Sequence, residues 1–200
     1  MAYQRTLVWK GNSTLWSDII SKNPTCHEAL NNRGAYYNDI GDLEKAVADI
    51  DRSLALNPRQ PRAYNNRSMI HFRQQKMDEA LQDADSALAL EPRLAEAWCN
   101  RGNVYFNLNQ YDSAIVNYTR AFQFMPNFPS NYTNRGSAYL KKGDFENARK
   151  DYEKAIELYP AYADAYRLLA LALAHLNQPE QATAATQYSL ELNPNSGAAI

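Results

Sequence analysis

"ALNNRGAYY" occupies residues 29–37, and its centre returns as NNRS at 65–68, CNRG at 99–102 and TNRG at 133–136. An Asn-Arg-(Gly/Ser) triplet thus recurs four times at a spacing of 34 residues. A fixed period of that size signals stacked copies of one supersecondary unit. The prolines keep the same phase: Pro58, Pro92, Pro126, Pro160 and Pro194 are each 34 residues apart. Anchored on them, the chain divides into repeats 27–60, 61–94, 95–128, 129–162 and 163–196.

Small residues hold fixed places in these repeats. Position 8 reads Gly34, Ser68, Gly102, Gly136 and Ala170, position 20 is always alanine (Ala46, Ala80, Ala114, Ala148, Ala182), and position 27 reads Ser53, Ala87, Ala121, Ala155 and Ser189. Each repeat contains two apolar-periodic segments, such as AWCNRGNVYFNL and YDSAIVNYTRAF, which predict two helices. Polar turns separate them at Gly41-Asp42, Gln75-Lys76, Asn109-Gln110, Gly143-Asp144 and Asn177-Gln178, with Pro179 placed to open a helix. The small columns let antiparallel helices approach closely, while large residues at positions 4, 11 and 24 fill the space between pairs. One helix pair cannot bury its apolar face alone, so the pairs are expected to stack into an all-α, right-handed, curved solenoid.

This pattern resembles the tetratricopeptide repeat across 27–196. The first 26 residues depart from it. STLWSDIISKNP aligns with a second helix, placing Trp16 at position 24 and Ile20 at position 28, and predicts an orphan helix capping the first repeat. The segment also carries Arg5 and Trp9 as R-x-x-x-W and Leu15, Trp16 and Asp18 as L-W-x-D. In this it is similar to the juxtamembrane region of bacterial multi-pass membrane proteins with C-terminal tetratricopeptide arrays, an origin that would put the array on the extracytoplasmic side. At the other end Asn193-Pro194 closes the last repeat and NSGAAI (195–200), with its tail 197–200, is too short to supply a solvating helix, so the last face is expected to be open.

Composition excludes several functions. The chain of 200 residues is 45% hydrophobic and 22% charged, which suits a globular fold rather than disorder. A net charge of −1 leaves no electrostatic footprint for nucleic acid. The longest strongly apolar stretch, 167–176, is too short to span a bilayer, and the polar start after Met1 does not read as a secretory signal. Cys26 and Cys99 lack ligand spacing and read as free thiols, and His27, His71 and His175 are scattered, so neither a metal nor a cofactor is expected. No nucleophile, base or phosphate loop is apparent, and an enzyme is not expected. Asn12, Asn66, Asn117 and Asn131 open N-x-Ser/Thr triplets, which occur often by chance.

The triplet itself divides by role. Glycine at position 8 is structural. Arginine at position 7 (Arg33, Arg67, Arg101, Arg135, then Leu169) faces position 23 on the second helix, which reads Asp49, Asp83, Asn117, Asp151, then Ala185. The repeat that loses the arginine also loses the acid, so Arg33–Asp49, Arg67–Asp83 and Arg135–Asp151 are expected to be structural ion pairs.

Asparagine at position 6 is the candidate binding element: Asn32, Asn66, Asn100 and Asn134. In the resembled fold this position points into the concave groove, where an amide offers a donor and an acceptor to an extended main chain. The column resembles the asparagine ladder of the O-linked N-acetylglucosamine transferase superhelix, which grips peptide backbones. Asn65, Asn103, Met69, Phe72, Phe106, Arg73, Leu140 and Lys141 are assigned to the same groove. The lysines of the family's carboxylate clamp are missing at positions 2 and 5, so a chaperone-tail clamp is not expected. The leading expectation is a non-enzymatic scaffold that binds a protein or peptide segment. A soluble accessory domain of a larger, glycosyltransferase-like membrane protein, and an array that self-associates end to end, stay open.

Overall fold

The computed structural model describes residues 13–194, and every regular element among them is helical. A helix α1 covers 13–22. Ten more follow: α2 (His27–Asp39), α3 (Leu43–Leu56), α4 (Pro61–Arg73), α5 (Met77–Leu90), α6 (Ala95–Asn107), α7 (Tyr111–Phe124), α8 (Pro129–Lys142), α9 (Phe145–Leu158), α10 (Ala163–His175) and α11 (Pro179–Leu192). The result is an all-α solenoid of helix pairs. It forms two compact halves, Met1–Asn100 and Arg101–Ile200, and the division falls inside α6. Arg5, Trp9, Asn12 and the tail 197–200 lie outside the described residues.

The five turns share one backbone solution. Position 15 takes the left-handed conformation in every repeat, at Gly41 (φ 86°), Gln75 (62°), Asn109 (59°), Gly143 (85°) and Asn177 (57°). Around each, two crossed hydrogen bonds close the first helix. At α4, the Gln75 amide donates to the Phe72 carbonyl at 3.0 Å and the Lys76 amide to the His71 carbonyl at 2.9 Å, the Schellman arrangement. Glycine and asparagine tolerate this conformation; a glutamine strains there. Gln75→Gly should therefore raise stability by about 0.5–1 kcal/mol, strain relief exceeding the entropy cost of a glycine. Urea unfolding of the two proteins would check it, and equal midpoints would show that the strain is absent.

In the N-terminal half, Trp16 and Ile19 of α1 pack against Ile20, Ala29 and Leu30, covering the first repeat. The next layers join Ala46, Ile50, Leu54, Ala63 and Ile70, then Ala87, Leu88, Leu94 and Ala97. In the C-terminal half, Ala114, Tyr118 and Ala138 form one layer and Ala148, Tyr152 and Ala172 another.

Position 8 is matched in size to position 24 of its own repeat. A Cβ added at Gly34 would lie 2.6 Å from Ile50 Cγ1, and one at Gly102 or Gly136 would lie 2.7 Å from the ring of Tyr118 or Tyr152. Where position 8 carries a side chain, position 24 shrinks: Ser68 accompanies Ala84, and Ala170 accompanies Thr186. The buried Ser68 hydroxyl is satisfied by donating to the Ala80 carbonyl at 2.7 Å.

The position-7 arginines hold second helices together. Arg33 donates to both oxygens of Asp49 at 2.6 and 2.7 Å, Arg67 to both of Asp83 at 2.8 and 2.7 Å, and Arg135 to both of Asp151 at 2.8 and 2.7 Å. Arg101 donates to Asn117 Oδ1 at 2.8 Å. The remaining guanidinium nitrogen reaches back one repeat, to Ser17 from Arg33, Asp51 from Arg67 and Thr119 from Arg135. Each of these arginines therefore staples its own second helix to the preceding one. His71 Nδ1 also approaches Asp83, at 3.2 Å but without hydrogen-bond alignment.

Candidate binding site on the first helices

The first helices present their polar faces at positions 5 and 6, and in the N-terminal half these amides link neighbouring repeats. Asn66 Nδ2 donates to Asn31 Oδ1 at 3.0 Å, and Asn100 Nδ2 donates to Asn65 Oδ1 at 2.8 Å. Each bond has the same direction, from position 6 to position 5 of the preceding repeat. The side-chain oxygens of Asn66 and Asn100 accept no hydrogen bond, and their second Nδ2–H groups donate none, among the described residues. Asn32 is exposed, and its side chain makes no hydrogen bond among them.

Asn31, Asn32, Asn65 and Asn66 line a polar cavity of about 260 Å³ with Arg62, Leu94 and Glu96. Arg62 and Glu96 are exposed and form no ion pair among the described residues, so a cation and an anion flank the amides. The chemistry available is a row of neutral donors and acceptors between two opposite charges, which suits a main chain with polar side chains. Neither a proton-transfer pair nor a nucleophile lines it.

In the C-terminal half the amides are more fully engaged. Asn134 Nδ2 donates to Asn103 Oδ1 at 3.3 Å, and the same oxygen accepts from the Tyr118 hydroxyl at 2.8 Å. Asn103 is thereby a bracket between the core and the helix face. Phe106, offered by the pattern as an open apolar anchor, packs on Ala114, Tyr118 and Ala138 and against the Tyr111 ring at 5.6 Å. Leu140 likewise packs on Ala148, Tyr152 and Ala172. Met69 and Phe72 are half-buried, and Lys141 is exposed.

Arg73 does not stand free either. Its guanidinium donates to the Asn38 backbone carbonyl and, at 2.8 Å, to the Asn38 side-chain oxygen. It caps the C-terminal end of α2 from the next repeat, a role that the spacing did not announce.

Other candidates separate clearly. Asn117 and Asn131 are only 2% and 3% exposed, so the folded protein offers neither amide for glycosylation. Burial pushes the Cys99 thiol up to about 12, with the Glu96 charge adding to it, so this sulfur stays protonated and inert at neutral pH. His27 bridges Gln60 Oε1 at 3.1 Å and Asn57 Nδ2 at 3.2 Å, a structural link between the two ends of the first repeat. Among the described residues no group of three or more His, Cys, Asp or Glu could hold a metal ion, and no helix is long and apolar enough to cross a membrane.

Family profiles described as tetratricopeptide repeat match residues 36–93, 95–128 with 131–162, and 151–184. The chain belongs to the tetratricopeptide-repeat family. No curated protein matches it. Among solved structures, the tetratricopeptide array is similar to YrrB, described as a TPR protein with an unusual peptide-binding site, at 20% identity and a TM-score of 0.70, over 90% of this chain and 93% of that one. It is also similar to MamA from Desulfovibrio magneticus RS-1, at 17% identity and a TM-score of 0.75, over 86% and 97%. A third similarity is to a chain of the APC/C hetero-tetramer Cut9-Hcn1, at 19% identity and a TM-score of 0.87, over 96% of this chain but 38% of that one. At these identities the likeness is one of fold. The resemblance of the N-terminal segment to a juxtamembrane region receives no support from these matches.

Proposed function

We propose that this tetratricopeptide array is a non-enzymatic interaction scaffold, which holds an extended segment of a partner protein against the first-helix amides. The observation that carries this reading is the half-used state of Asn66 and Asn100. Each gives one N–H to the preceding repeat, which fixes its rotamer, and keeps a carbonyl and an N–H for a ligand. A preset amide loses little side-chain entropy on binding, so such a contact adds more affinity than a free asparagine would. Arg62 and Glu96 beside the cavity give preference for partners with charged side chains near the gripped backbone.

The test starts from a random peptide library selected on the folded chain. Enriched peptides are then titrated against wild type and against Asn66→Ala/Asn100→Ala. The double variant is expected to bind about tenfold more weakly, the loss of two good hydrogen bonds, with stability reduced by no more than about 1–2 kcal/mol. Unchanged affinity with an intact fold would refute the amide grip.

A further inference from the structure

The last helix pair carries a broad concavity. Between α10 and α11 lies a trough of about 1060 Å³ lined by Ala170, Leu171, Ala174, Ala182, Thr186 and Leu190, among others. In every earlier repeat the corresponding places are shut. Ala46, Ala80, Ala114 and Ala148 at position 20 are 0% exposed, and Ile50, Tyr118 and Tyr152 at position 24 are at most 1% exposed. In the last repeat Ala182 is half-buried, Thr186 is exposed, and Leu171 and Leu190 are 45% and 39% exposed.

The molecule itself shows what closes such a trough. One repeat earlier, Ala148 and Tyr152 of α9 are covered by α10 through Leu168, Leu169 and Ala172. With the buried Ala165, these residues fall at i, i+3, i+4 and i+7, one face of a helix. The open trough is therefore the continuation of an interface already built into the chain, and that interface takes a helix of the first type.

Side-chain size narrows the occupant further. Tyr118 shares its layer with Ala138, and Tyr152 with Ala172, so a tyrosine at position 24 meets an alanine on the incoming helix, whereas the shorter Ile50 meets Ile70. Thr186 is small, so the residue facing it must be larger than alanine to reach interior packing density. Asp164 and Arg167, 3.6 Å apart, and Gln187 make a polar rim around this apolar floor.

We propose that the α10/α11 trough is a docking site for one amphipathic helix of a partner protein. Its buried face has the pattern Ala-x-x-Leu-Leu-x-x-Ile/Val, flanked by polar residues. A second copy of this chain is a poorer occupant, because its α4, α8 and α10 are already packed against the preceding α3, α7 and α9, and its α2 against Trp16 and Ile20 of α1. The trough shares no lining residue with the asparagine cavity.

The experiment titrates the 200-residue chain with two lysine-tailed, labelled peptides by fluorescence anisotropy. One has the α10 sequence, residues 163–175, and the other the same sequence with Ala172→Ile. Saturable binding of both is expected, with the isoleucine peptide several-fold tighter, as two or three extra buried carbons would give. Thr186→Arg and Leu190→Asp, both at exposed positions, should weaken binding about tenfold or more while leaving the helical signal and melting temperature unchanged. Asn66→Ala/Asn100→Ala should bind these peptides like wild type. Failure of both peptides to bind at about 1 mM, or equal binding to Thr186→Arg, would overturn the proposal. So would a sedimentation mass that doubles with concentration in wild type but not in Thr186→Arg, which would assign the trough to a second copy.

Discussion

Gly136→Ala is expected to lower the unfolding free energy by about 1–3 kcal/mol, a large effect for one methyl group. The new Cβ would sit 2.7 Å from Cε1 and 3.0 Å from Cδ1 of Tyr152, inside the distance at which carbon atoms can coexist. Tyr152 is fully buried in the layer with Ala148 and Ala172, so the ring has no free volume to retreat into. Its hydroxyl is also tied to Ser137 Oγ at 3.3 Å. Tyr152→Ala alone should cost about 3–5 kcal/mol through the cavity it leaves. The double variant Gly136→Ser/Tyr152→Ala recreates the Ser68/Ala84 combination of the second repeat, and it should cost clearly less than the two single changes added together. Equilibrium urea unfolding of the four proteins measures this coupling. Simple additivity would mean that positions 8 and 24 are not matched to each other.

The second large effect is directional. Arg135→Met should cost about 3 kcal/mol, because it leaves the Asp151 carboxylate, with a side chain only 6% exposed, without its cation. It also removes a guanidinium that lies 4.4 Å from the centre of the Phe122 ring and the link to Thr119 at 3.0 Å. Asp151→Asn should cost less than about 1 kcal/mol, since Asn117 already serves Arg101 in the same place at 2.8 Å. The pair can thus be broken cheaply from the acidic side only.

The pH profile of these variants tests the same physics. Burial pushes the Asp151 carboxyl above its ordinary range, and the Arg135 hydrogen bond and charge offset this only in part. With the folded value raised above the unfolded one, the group's stabilising contribution is full below the unfolded value and is lost as pH rises through the folded value. Relative to Asp151→Asn, wild type should therefore gain stability as the pH falls through that window. A relative loss instead would show that the ion pair, not burial, governs this carboxylate.

Much of this architecture could be read from columns of like residues. The alanines at position 20, the prolines and the turn residues all repeat with one period, and a periodic sequence carries its helix pairs on its face. The arginine and its acid at position 23 vary together, which marks them as neighbours. The position-8 and position-24 sizes also vary together, Gly with Ile or Tyr and Ser with Ala, a signal that a comparison of columns would have found. The third arginine partner gave no such signal. Ser17, Asp51 and Thr119 differ in charge and size, and only their shared ability to accept a hydrogen bond unites them.

What the chain's own residue pattern determined is the repeating helix pair, its turn conformation and its small-residue contacts, because each depends on neighbours within one period. Which groove residues remain available was decided only by tertiary structure. Asn66 keeps half of its amide, Asn103 is bracketed by Tyr118, Arg73 caps α2, and Phe106 and Leu140 lie against core layers. The physical reason is that a side chain's free hydrogen-bonding capacity and exposed area depend on what the adjacent repeat places beside it. That placement is a property of packing between repeats, which no single period of sequence contains.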